Sequence, residues 1–201
     1  MTTFTLPTIP GEFQWRIPPQ DWRIDPQQGL SILAGAETDW FVDPAGNYTK
    51  DNAPSAVVQI TDDHFLLSAK VAVEFASAFD AGALQIRIAE DRWAKFAFEF
   101  SPQRQPTIVS VVTRGVSDDC NSVAIDGSAI YLRVARTPQT LAFHYSHDGR
   151  LWHLVRYFTL GPADAVQVGF SAQSPTGTQC RASFSEINYQ RASLKDNRSG
   201  E

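Results

Sequence analysis

From Leu30 onward, short apolar runs are broken by turn-forming residues. The runs are SILAGA, AVVQI, FLLSAKVAVEF, ALQIRIA, WAKFAFEF, TIVSVVT, IYLRVAR, TLAFHYS, LWHLVRYF, VQVGFSA and CRASFSEINYQ. Many of them alternate apolar and polar positions, the period of a strand with one buried face. In WAKFAFEF, Phe96, Phe98 and Phe100 fall on one side, while Lys95 and Glu99 fall on the other. The pattern predicts about eleven strands, one every ten to fifteen residues or roughly so. No amphipathic helix intervenes, which argues for two packed antiparallel sheets instead of parallel βαβ units.

Turn chemistry supports that reading. Asp148-Gly149 lies between two runs rich in aromatic and branched residues, and an Asp-Gly pair suits the positive φ angles of a tight hairpin. Asp80 to Gly82 marks another turn. Residues 4–26 scatter Phe4, Phe13, Trp15, Ile17 and Trp22 among Pro7, Pro10, Pro18, Pro19 and Pro26, which forbids a long helix and predicts short edge strands. DPAGNYTKDNAP reads as a loop, and the polar tail RASLKDNRSGE after Tyr189 is expected to fray.

Composition narrows the possibilities. At 201 residues and 43% hydrophobic content the chain is long enough to bury one substantial core, so a single β-sandwich domain over 1–201 is expected. A formal charge of -5, with 17 scattered Lys and Arg, provides no basic field and argues against nucleic acid as a partner. No apolar run approaches the roughly 18 residues of a membrane span. The opening MTTFTLPTIPGEF lacks the basic start and apolar centre of a secretory signal, so a cytoplasmic protein is expected, with no membrane association. Cys120 and Cys180 would pair only if their strands met; in a chain without a secretory signal they read as reduced thiols, outside any CxxC or zinc-ligand cluster. His144 and His147 straddle the start of a hairpin turn, while His64 and His153 stand alone, so neither a metal nor a cofactor is expected.

The chemistry concentrates between Asp80 and Asp119. Trp93, Lys95 and Glu99 share one parity on their strand, and Gln85 and Arg87 share the polar parity of the strand before it. If the two strands are neighbours, an aromatic plate and hydrogen-bonding groups converge as a sugar ring requires. The plain alternative is a wet sheet face carrying an ion pair from Glu99 to Lys95 or Arg87, worth at most about 1 kcal/mol. A second candidate is TDWFVDPAGNYTKDNAP. It offers Trp40 and Phe41 as aromatic surface and Asp39, Asp43, Asn47, Asp51 and Asn52 as oxygens. It lacks the Asp-x-Asp-x-Asp-Gly spacing of a calcium loop, and its Asp and Asn residues equally suit turns. A third, TRGVSDDCNS, puts Arg114, Ser117, Asp118 and Asp119 at a strand end, which is either a cleft rim or an ordinary turn. Glycosidase chemistry needs two carboxyls about 5–9.5 Å apart, and spacing alone does not bring any of Glu90, Asp91, Glu99, Asp118 and Asp119 together. A Gly-x-Ser-x-Gly elbow is absent.

With these residues in view, the chain resembles the domain-of-unknown-function family that includes the regulation of enolase protein. The resemblance covers nearly all of residues 10–190. It rests on TDWFVDP, FDAGALQIRIAEDRWAKFAFEF, IVSVVTRGVSD, the Tyr-Ser-x-Asp-Gly-x-x-Trp hairpin at 145–152, and VGFSAQSP. The family usually places an aromatic residue after the Ser-Asp pair, whereas this chain has Asp119 and then Cys120, which leaves a stacking role at that corner unsupported. The resemblance implies a concanavalin A-like jelly-roll sandwich whose concave sheet forms a groove. By analogy with lectins and glucanases it implies a saccharide ligand, an analogy of fold alone. The family's name points to an effect on enolase and states no physical contact. Trp40, Trp93, Lys95, Glu99, Thr113, Ser117 and Asp118 match the shared motifs, and strand parity adds Gln85, Arg87, Arg133, His144 and Gln173.

The reading that follows is a non-catalytic, lectin-like module binding a saccharide or small polar metabolite, with a regulatory role in carbohydrate metabolism. Two alternatives stand beside it. One is a sugar-active hydrolase or lyase acting through Glu99 with Asp118 or His144; the other is a regulatory module whose aromatic patches dock a metabolic enzyme.

Overall fold

The computed structural model describes residues 3–25 and 29–201, so Pro26 lies outside the described residues. Seventeen strands are present among them and no helix. Eight form one antiparallel sheet: β1 (Thr3–Phe4), β2 (Phe13–Ile17), β7 (Ser55–Ile60), β16 (Val166–Gln173), β9 (Ala81–Ala89), β10 (Arg92–Phe100), β11 (Pro106–Arg114) and β12 (Val116–Ala124), in that spatial order. Seven form the other: β15 (His153–Phe158), β14 (Leu141–Ser146), β13 (Ala129–Arg136), β8 (Phe65–Val73), β17 (Gln179–Gln190), β4 (Gly29–Gly35) and β3 (Asp21–Asp25). A small hairpin of β5 (Trp40–Val42) and β6 (Thr49–Asp51) stands apart. This is the expected all-β jelly-roll sandwich of two antiparallel sheets.

The alternation read from the sequence decides which side chains lie between the sheets. Ala94, Phe96 and Phe98 of β10 are fully buried, together with Leu67 and Val71 of β8, Leu132 and Val134 of β13, and Phe143 of β14. Phe96 stacks on Phe143 at 4.7 Å, linking the sheets across the core. Burying each such large side chain stabilises the fold by about 1.5–3 kcal/mol. Phe100, expected inside, is only half-buried at the end of β10 and stacks on Phe75.

All eleven expected strands form. Short strands β1 to β3 also form in the proline-broken segment; β1 and β3 are sheet edges, as expected, while β2 lies one strand in, between β1 and β7. Three strands were not foreseen. β12 reads VSDDCNSVA, with Ser117 its one buried side chain, because an edge strand is satisfied by pairing along one side and needs no apolar face. DPAGNYTKDNAP, expected as a loop, instead folds through β6, which pairs Trp40 with Asp51 and Val42 with Thr49. The Asp148-Gly149 turn forms, with Gly149 at a φ of 73° and Asp148 accepting from the Arg150 and Leu151 amides. Neither cysteine is bonded to the other: Cys180 is buried and Cys120 is exposed on β12. The tail expected to fray instead lies on the outer face of the seven-stranded sheet, where Asn197 and Gly200 carbonyls accept from His144 and Arg133.

Candidate functional site

The outer face of the eight-stranded sheet is built from the residues of β10 that alternate with the core phenylalanines. Trp93, Lys95, Ala97 and Glu99 sit there, opposite Arg87, Gln85, Ala83 and Ala81 on β9 and Thr113, Val111, Val109 and Thr107 on β11. Gln173 on β16 pairs with Ala81, and Asp119 on β12 pairs with Val111, so both join the same face. The expected convergence of Gln85, Arg87, Trp93, Lys95 and Glu99 on one face is therefore present.

What covers that face changes the role of several of them. The β5–β6 hairpin lays Trp40 flat on Trp93, with ring centroids 3.8 Å apart and planes 18° from parallel. Trp93 is 2% exposed and Trp40 5%, so neither indole is open to stack on a ligand, contrary to expectation. Ser117 and Thr113 hold the lid down: Val42 N–H donates to Ser117 Oγ at 3.0 Å, and the two hydroxyls lie 2.9 Å apart. Asp39, just before the hairpin, accepts from Trp40 N–H and from Lys95 Nζ at 3.1 Å. Ser117 and Thr113, and Lys95 through Asp39, thus anchor the covering hairpin from below. Gln85, directly across from Lys95, is also sealed, and among the described residues neither end of its amide has a partner.

Beside the hairpin the face stays open as a cavity of about 260 Å³. Lys95, Glu99, Gln173 and Val111 line it from the sheet, Asp119 from the edge strand, and Phe41, Tyr48, Lys50, Glu37 and Asp39 from the hairpin and its approach. Phe79, Pro175 and Thr176 complete it. Lys95 donates to Gln173 Oε1 at 2.9 Å as well as to Asp39, leaving its third N–H uncommitted. Gln173 Nε2 donates to the Phe79 carbonyl at 3.1 Å and lies 3.5 Å from Glu99 Oε2. Phe79 is held at a φ of 69°, a conformation uncommon for so bulky a residue, and its ring stays 37% exposed at the rim. Tyr48, stacked on Phe41, is 48% exposed.

The electrostatics follow from burial. The ion pair from Glu99 to Lys95 or Arg87, the plain alternative read from the sequence, is not made among the described residues; Lys95 pairs with Asp39. Glu99, 92% buried, has its carboxyl pushed up to about 8, chiefly by desolvation, with Asp119 and Asp39 adding to the shift and Lys95 opposing it. Desolvation likewise raises the Asp119 carboxyl against the pull of Lys95. With the Lys95 ammonium and the Gln173 amide beside a Glu99 carboxyl that keeps its proton at neutral pH, the floor can both donate and accept hydrogen bonds.

Four other sequence candidates lie elsewhere. Arg87 donates to the Ala89 carbonyl and lines a separate recess with Arg16, Gln59 and Glu90. Asp118 has the opposite parity to Ser117 and Asp119, and its carboxylate meets Arg156 of the other sheet at 2.7 Å. Arg133 and His144 are cross-strand partners on the outer face of the seven-stranded sheet, beneath the C-terminal tail. The parity that placed them outward was right, but two sheets have two outer faces. Asp119, named at the candidate cleft rim but not selected for binding, was within reach, since strand alternation from Ser117 selects it over Asp118. Tyr48 arrives through the hairpin that reads as a loop, beside Phe41, which the sequence already offered as aromatic surface, and Phe79 through a backbone conformation with no sequence signal.

Comparisons with known proteins agree with this architecture. Residues 15–192 match the model of a family described as a protein of unknown function (DUF1349). A relative from Saccharomyces cerevisiae, "Regulation of enolase protein 1", is 28% identical over 159 residues, covering 78% of this chain and 79% of that protein. A crystal structure of a functionally unknown protein from Saccharomyces cerevisiae superposes with a TM-score of 0.81 at 24% identity, covering 89% of this chain and 95% of that one. The carbohydrate binding module CBM66 from Bacillus subtilis superposes with a TM-score of 0.56 at 11% identity, over 88% of this chain and 94% of that one.

Proposed function

For a chain that belongs to the DUF1349 family, we propose a lectin-like module that binds a saccharide or a related small polar metabolite in the cavity beside the β5–β6 hairpin. The observation that carries this reading is the pairing of exposed aromatic rings, Tyr48 and Phe79 with Phe41, over a floor of mixed donors and acceptors from Lys95, Glu99, Gln173 and Asp119. A sugar ring needs that combination, because its C–H face packs on an aromatic plate while its hydroxyls demand both kinds of hydrogen-bonding group. A volume just below the roughly 300–1,000 Å³ of drug-sized sites suits one ring. The likeness to a carbohydrate binding module and the name of the yeast relative support a regulatory role in carbohydrate metabolism, with a metabolic enzyme as the partner class. A cytoplasmic setting, in which exposed Cys120 stays a thiol, belongs to the same reading.

Calorimetric titration with a panel of monosaccharides and short oligosaccharides tests it. At least one should bind, and Tyr48→Ala or Phe79→Ala should weaken that binding by about 1–3 kcal/mol, the order of an aromatic anchor. Binding by none of the panel, or binding that both variants leave intact, would overturn the reading. A second reading, a sugar-active hydrolase or lyase, is favoured by one observation: an uncharged Glu99 carboxyl lines the same cavity as Asp119. Release of product from an oligosaccharide, abolished by Glu99→Gln, would establish it.

A further inference from the structure

The cavity is unevenly charged. Four carboxyls line it, from Glu37, Asp39, Glu99 and Asp119, against the two ammonium groups of Lys50 and Lys95. Lys95 is committed to Asp39, and Lys50 Nζ donates to the Glu37 carbonyl at 3.3 Å. Among the described residues neither Glu99 nor Asp119 has a cation within 4 Å. Two carboxyls, one buried and one exposed, therefore face the same space with no cation in ion-pair contact, only the longer-range pull of Lys95. Around them stand the rings of Phe41, which Lys95 Nζ already overlies at 6.0 Å, and of Tyr48 and Phe79, whose faces attract a cation through their quadrupole. Tyr48, the remaining titratable group on the cavity wall, contributes a hydroxyl that stays protonated because burial and the nearby carboxylates raise it further.

We infer that the ligand of this cavity carries a protonated amine, so that within the saccharide reading on which this rests the preferred class is an amino sugar over a neutral or acidic one. The ammonium would sit among Glu99, Asp119 and the rings of Tyr48 and Phe79, and the sugar's hydroxyls would meet Lys95 and Gln173. A uronic acid brings its carboxylate to the same carboxyls and is rejected. The ammonium also supplies the missing counter-charge for Glu99, whose carboxyl gives up its proton as the ligand binds.

The test compares matched rings on the intact chain at low salt and pH 7: glucosamine, glucose and glucuronate, then galactosamine, galactose and galacturonate. In at least one series the amino sugar should bind about tenfold tighter than its neutral counterpart, with the uronate weakest. Calorimetry in buffers of different ionisation enthalpy should register proton release for the amino sugar and none for the neutral one. Glu99→Gln and Asp119→Asn, each checked for folding by thermal melt, should pull the amine-to-neutral preference toward unity. If a neutral sugar binds as tightly as its amino counterpart, or a uronate binds best, this inference falls while the saccharide reading stands. If none of the six binds, both fall for these probes.

Discussion

Replacing Glu99 with glutamine isolates the free energy stored in one buried carboxyl. In the unfolded chain that group ionises near its ordinary 4.5, whereas in the folded protein it holds its proton up to about 8. Between those values the unfolded state releases a proton that the folded state retains, so folding is least penalised below pH 4.5 and loses stability as pH rises toward 8. At about 1.4 kcal/mol per pH step, the loss reaches about 3 kcal/mol at pH 7 and about 4 kcal/mol at pH 8. Glutamine has the same shape, carries no charge, and keeps an oxygen to face Gln173 Nε2. The variant and the parent should therefore be equally stable near pH 4, with the variant ahead by about 3 kcal/mol at pH 7 and about 4 kcal/mol at pH 8. Urea unfolding followed by tryptophan fluorescence across that range measures the difference directly, and other titrating groups cancel between the two proteins. A gap that stays constant with pH, or a variant that is the weaker of the two at pH 8, would refute the assignment of Glu99 as a buried neutral acid.

Two further expectations follow from the ion pair and the tail. Asp39→Ala removes the carboxylate that pairs with Lys95, a side chain only 3% exposed, and should cost about 3–5 kcal/mol in urea unfolding; adding Lys95→Met should restore most of it, and a single-variant loss below about 1 kcal/mol would show the pair to be dispensable. His144, held down to about 4 mainly by burial beneath residues 192–201, should titrate there by NMR and return toward its ordinary 6.5 when those residues are deleted. Because its folded value is depressed, it withdraws stability as pH falls from about 6.5 to about 4, and deletion should remove that acid dependence as well.

The sandwich was legible because alternation is imposed by burial: wherever a strand has one face in the core, as in β8 and β10, apolar and polar residues must take turns. The same rule located the floor of the site, since Lys95, Glu99 and Gln173 do share the face opposite Phe96 and Phe98. It did not reveal which of those residues would be covered. Trp93 reads like an open stacking plate until Trp40, far away in sequence, is laid over it, and Thr113 and Ser117 serve the cover and not the cavity. The choice of Asp118 over Asp119 followed a motif where alternation alone pointed to its neighbour. Arg133 and His144 show the limit of a local rule, because alternation tells inside from outside yet is blind to which of two sheets a strand joins.

The edge position of β12 gives the molecule a convenient handle. Cys120 is solvent-facing, adjacent in the chain to Asp119 on the cavity wall, while Cys180 is enclosed and its thiol is pushed well up by burial. A thiol-directed fluorophore would attach at that single edge position without any engineered residue, on the side of the strand opposite the cavity and one residue from its wall. The native chain thus carries the attachment point for an optical reporter of occupancy.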